Sequence, residues 1–88
     1  MTFEKTRINT LRALLLAHWD PIGIANVPAA ADEYDVYVSE LQKLLAKDAS
    51  VADIAEALLT IETVQMGLPG NRDRGRRVAE LLVAESRV

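Results

Sequence analysis

An all-α fold, a compact bundle of about four helices, is predicted by three features of this 88-residue chain. Its apolar residues recur with a period near 3.6. Proline and glycine punctuate the pattern at Pro21, Gly23 and Pro28, and again at Gly67-Leu68-Pro69-Gly70. No stretch alternates with period two for long enough to make a strand. Such a length makes a single domain over residues 1–88. It buries only about 60–65% of its unfolded surface, so nearly every apolar face must join one core. A hydrophobic content of 50% is enough to attempt that core.

Segment one runs from about Phe3 to His18. Leu11, Leu14, Leu15 and His18 follow helical spacing, with Ile8 on the same side. Thr2 suits the N-cap and Glu4 the first turn. Pro21 disfavours helical geometry at Asp20, so the helix stops near Trp19. Residues Pro21 to Pro28 form an irregular connector. Its Ile22, Ile24 and Val27 are expected to pack under the helices, and Trp19 to anchor the same corner with its indole N–H on a carbonyl.

Segment two starts between Ala29 and Asp32 and ends near Lys47. Tyr34, Tyr37, Val38, Leu41, Leu44 and Leu45 form its stripe. Segment three opens on Ser50 and Asp53, a capping-box pattern, and presents Val51, Ile54, Ala55, Leu58 and Ile61 before ending near Met66. Segment four spans about Asn71 to Glu85 with Val78, Leu81 and Leu82 inward. Gly75 falls inside it, where glycine costs about 1 kcal/mol relative to alanine. A close helix crossing would explain its presence.

Composition bounds the function. The absence of cysteine removes disulfides and thiolate metal sites, and fits a reducing cytoplasm. No signal peptide is visible, and the apolar run Ala13–Ala17 is far short of the roughly 20 residues that span a bilayer. Neither a membrane nor a cofactor is expected. A net charge of −3 with a pI near 5.0 argues against general nucleic-acid binding.

The polar residues divide by position. His18, on the apolar side, is read as a core-edge residue with a satisfied ring; the alternative is a ligand or base near Asp20. One histidine without cysteine makes a poor zinc site. Asp32, Glu33 and Asp35 are read as helix-start charges. Glu33 and Asp35 lie about 160° apart around a helix and cannot converge on one ion. Glu62 lies on the apolar stripe beside Val51, Ala55 and Leu58. It is expected to be at least half buried, paired with an arginine of segment four or a backbone donor near the Trp19–Pro21 corner. The alternative is a carboxylate serving a pocket. Arg72, Arg74, Arg76 and Arg77 crowd the start of segment four, where positive charge is mildly unfavourable. Pairing with Asp35 or Glu62 is one reason; an acidic or phosphate-bearing partner is another. The candidate structural or interaction residues are thus Trp19, Asp20, Asp32, Asp35, Glu62, Arg74 and Arg77, with no catalytic or metal-ligating set.

Three blocks occur together: Trp19-Asp20-Pro21-Ile22-Gly23, Asp32-Glu33-Tyr34-Asp35, and Ile61-Glu62 with Met66-Gly67-Leu68. In these the chain resembles a family of small bacterial all-helical proteins of unknown function. The resemblance spans roughly Leu14 to Leu82. It implies a cytoplasmic helical fold and, through some relatives, an association with toxin immunity. It carries no catalytic residues. The expectation is a non-enzymatic protein-interaction module, in one form an immunity-type inhibitor whose acidic surface suits a basic toxin. The alternative is a small nucleic-acid-binding regulator, with segments three and four as a helix-turn-helix and the cluster Arg72 to Arg77 as its contact. An enzyme ranks last, because no nucleophile–base pair or glycine-rich phosphate loop is present.

Overall fold

The computed structural model describes residues 2–30 and 32–86, with side chains from residue 8 onward. Among them there are four helices and no strand. Helix α1 (Thr2–Leu14) runs into a π-helical turn (Leu15–Trp19). A single 3-10 turn (Pro28–Ala30) interrupts the connector. Helix α2 spans Asp35–Ala46. Helix α3 (Val51–Thr60) runs into a second π-helical turn (Ile61–Gln65), and α4 covers Arg72–Ser86. The all-α bundle expected from the periodicity is the fold. None of the described helices is long and apolar enough to cross a membrane.

The first π turn changes which face of its segment is inside. Leu11, Leu15 and Trp19 are buried, and Ile8 and Leu14 partly so. The Asp20 N–H reaches back five residues to the Leu15 carbonyl at 2.9 Å. A π turn holds more residues per revolution than an α turn. Trp19 rather than His18 therefore comes round beneath Leu15. His18 is exposed, contrary to its place on an α-helical wheel. Thr2 and Glu4, read as cap and first-turn charge, lie outside the described side chains.

The connector also differs from expectation. Ile22 and Val27 are each 46% exposed, and only Ile24 packs against the core. Backbone groups of this loop are tied to its own Asp20, so the loop closes on itself instead of sliding under the helices. Successive turns, Glu33 N–H to the Ala30 carbonyl and Asp35 N–H to the Asp32 carbonyl, delay the start of α2 to Asp35. Asp32 and Glu33 consequently stand ahead of the helix, exposed, and Asp35 alone occupies its first turn. Tyr34, at the N-cap position, is buried with Val38, Leu41 and Leu45, while Tyr37 and Leu44 are partly covered.

Helix α3 opens on the expected capping box. The Asp53 N–H donates to Ser50 Oγ at 3.1 Å, and the Ser50 N–H donates to Asp53 Oδ2 at 3.3 Å. Ile54, Leu58 and Ile61 enter the same core as Val78, Ala79, Leu82 and Val83 of α4. Rows of i and i+4 residues, 78/82 and 79/83, form the inner side of α4, which leaves Leu81 at the edge and 39% exposed rather than buried. At the turn between α3 and α4, Gly70 has φ +84°, and a Cβ there would stand 2.8 Å from Leu59 Cδ1.

Gly75 is buried where α4 passes α3. A Cβ on it would meet the Ala55 carbonyl oxygen at 3.8 Å, an ordinary contact. The crossing therefore tolerates a methyl group, and helix propensity favours one. Gly75→Ala should stabilise the fold by about 0.5–1 kcal/mol in urea unfolding. A destabilised variant would show that the two helices need the bare glycine.

Candidate functional site

The two π turns meet. Trp19, the last residue of the first, donates its indole Nε1–H to Glu62 Oε1 at 2.6 Å; Glu62 is the second residue of the other. Both side chains are almost wholly buried, at 1% exposure. Arg74 Nη2 approaches the other oxygen, Glu62 Oε2, at 3.4 Å. The expectation for Glu62, burial and an arginine from segment four, is met. The indole partner is this carboxylate rather than a carbonyl. A carboxyl oxygen is a good acceptor, and burial leaves the indole no water to use instead. Arg74 is held from behind by its backbone N–H on Asn71 Oδ1 at 2.9 Å, while its buried Nε has no hydrogen-bond partner among the described atoms.

Asp20 organises the neighbouring corner. Its φ of 34° places it in the left-handed region, which aspartate tolerates better than most residues. Oδ1 accepts from the Ile24 N–H at 2.8 Å and the Tyr34 hydroxyl at 2.8 Å; Oδ2 accepts from the Ala25 N–H at 3.0 Å. The Tyr34 hydroxyl in turn accepts the Ile22 N–H at 3.3 Å. Burial pushes the Asp20 carboxyl up, but the donors from Ile24, Tyr34, Ala25 and Gly23 outweigh it and hold it below its ordinary 3.8. Burial, with Asp20 as acceptor, pushes the Tyr34 hydroxyl well above its ordinary 10.0. The Trp19 and Tyr34 ring centroids stand 5.2 Å apart in a tilted arrangement, and Tyr37 lies 6.4 Å from both. All three sequence blocks therefore join at one place, and the residues that mark them hold the corner together.

Asp35 is taken by a residue that the sequence did not single out. Arg12 of α1 grips it in a fork, Nε to Oδ1 and Nη2 to Oδ2, both at 2.7 Å. The arginine cluster of α4, the expected partner, does not reach it. The hydrogen bond to Asp35 raises the Arg12 guanidinium further above its ordinary value, against the cost of partial burial. Nothing in the sequence marks Arg12, and only the passage of α1 beside the start of α2 brings it to Asp35. Of the cluster, Arg74 alone turns inward; Arg72, Arg76 and Arg77 are exposed. Among the described residues no three His, Asp or Glu side chains are grouped to hold a metal ion, so Asp20, Asp32 and Asp35 do not converge.

A groove of about 440 Å³ runs between α2 and the α3 segment. Leu41, Leu44, Ala57 and Ile61 line it together with Thr60 and Gln65, and Glu40, Asp53 and Glu56 stand along it. Sequence reasoning missed it, because a wheel marks what is buried and not where two helices diverge. No known protein family, curated protein or solved structure matches the chain.

Proposed function

We propose that the protein is a small non-enzymatic interaction module of the cytoplasm that presents an acidic surface on α2 and α3 to a basic protein partner, in the manner of an immunity-type inhibitor. The observation that carries this reading is the separation of charge. Residues 32–60 hold seven carboxylates against two lysines, and all of those carboxylates except Asp35 are exposed. Such a field speeds encounter with a cationic surface and selects against acidic ones. The polar groups best suited to chemistry, Asp20, Tyr34, Glu62 and Arg74, are occupied in holding the fold. The three motif blocks support the inhibitor form, through the resemblance they carry.

Affinity capture from the native host, read by mass spectrometry, tests the proposal. The expected result is one basic protein, retained in stoichiometric amount and released as salt rises. Recovery of nucleic acid instead would favour the second reading, a regulator that uses the exposed Arg72, Arg76 and Arg77 at the start of α4. That arm has its own signature, because phosphate contacts give an affinity that falls linearly on a log–log plot against salt.

A further inference from the structure

We infer that the α2–α3 groove is the docking site, and that its occupant is a basic amphipathic helix supplied by the partner. The inference rests on the interaction reading above and names the surface and the chemistry it takes. Two observations carry it.

The floor of the groove is apolar, from Leu41 and Leu44 on one side to Ala57 and Ile61 on the other. Carboxylates occupy both sides: Glu40 on α2, Asp53 and Glu56 on α3. All three are exposed, and neither Lys43 nor Lys47 is a lining residue.

An apolar floor with carboxylates on both sides asks for an apolar stripe flanked by lysine or arginine. An amphipathic helix provides that pattern at i, i+3, i+4 and i+7. The lining spans 13 residues on the α3 side, Asp53 to Gln65, and five on the α2 side, Glu40 to Leu44. At about 1.5 Å per residue these match between one and three turns of partner helix. An acidic or purely polar helix would leave the floor wet and the rim unpaired.

The test uses a fluorescein-labelled 14-residue peptide with leucine at i, i+3, i+4 and i+7 and lysine elsewhere, titrated into the full chain by anisotropy. In ¹⁵N spectra the shifts should concentrate at Glu40, Leu44, Glu56, Thr60 and Gln65. The pair Glu40→Lys and Glu56→Lys should weaken binding at least about tenfold, and the distant pair Glu33→Lys and Glu80→Lys by less than about threefold. Thr60→Trp, which fills the groove and leaves every charge in place, should weaken it similarly to the first pair, with circular dichroism unchanged. Equal weakening by both charge pairs would overturn the proposal, because attraction would then be diffuse. Shifts centred elsewhere, or no binding, would overturn it as well. So would sedimentation showing a dimer that the peptide dissolves, since the occupant would then be a second copy of this chain. If Glu40→Lys with Glu56→Lys still captures the basic partner from the host, the groove assignment fails while the interaction module stands.

Discussion

Arg74→Met should destabilise the protein by about 3 kcal/mol, more than Glu62→Gln. The asymmetry follows from burial. Glu62 is 1% exposed, whereas the Arg74 side chain is 30% exposed. Removing the arginine leaves a buried carboxylate with the Trp19 indole as its remaining side-chain donor. Removing the negative charge leaves an arginine that turns toward water at little cost, and a glutamine oxygen still accepts from the indole. That change should cost about 1–2 kcal/mol, the range for weakening a buried hydrogen bond. Urea unfolding of the three proteins decides the matter. Costs within about 0.5 kcal/mol of zero for both would mean that water reaches this corner. Unchanged stability with lost partner binding would move Glu62 from the fold to the interaction surface.

Asp20→Ala should cost a comparable amount, again about 3 kcal/mol. It removes the acceptor of three hydrogen bonds, each worth about 1 kcal/mol, and places alanine in a left-handed conformation that costs a further 1–2 kcal/mol or so, offset in part by water reaching the loop. Asp20→Asn keeps the shape and the tolerance of positive φ and should cost about 1 kcal/mol. The charge should appear in the pH dependence. The folded state holds the Asp20 carboxyl below its ordinary 3.8. Its contribution is therefore complete above that value and is lost as pH falls through the lower folded-state value. The difference between native protein and Asp20→Asn should narrow on acidification below pH 3.8. A difference that stayed constant with pH would assign the loss to shape alone.

The fold was legible because hydrophobic periodicity and Gly-Pro punctuation report directly on helices and their ends. The Ser50–Asp53 cap and the burial of Glu62 were legible for the same reason, since each depends on neighbours within one helix. What escaped depended on geometry between elements or on winding within one. A π turn has no mark in a single sequence, so an α-helical wheel puts His18 on the face that Trp19 occupies. Arg12 and Asp35 are 23 residues apart, and no local signal pairs them. Apolar character argues for Ile22 and Val27 inside, yet the side chain of Asp20 folds their loop back on itself. The groove arises where α2 leaves α3, a feature of packing and not of either helix.

The indole at that corner has one more consequence, an optical one. Trp19 is the only tryptophan of the chain. It sits where segments far apart in sequence close on one another, between a phenol ring and a carboxylate. Its emission thus follows the closure of the corner, whereas far-ultraviolet ellipticity sums over all four helices. A partner or substitution that loosened the corner without melting the helices would appear as a red shift at constant ellipticity. The chain carries its own spectroscopic label at the joint where its fold is locked.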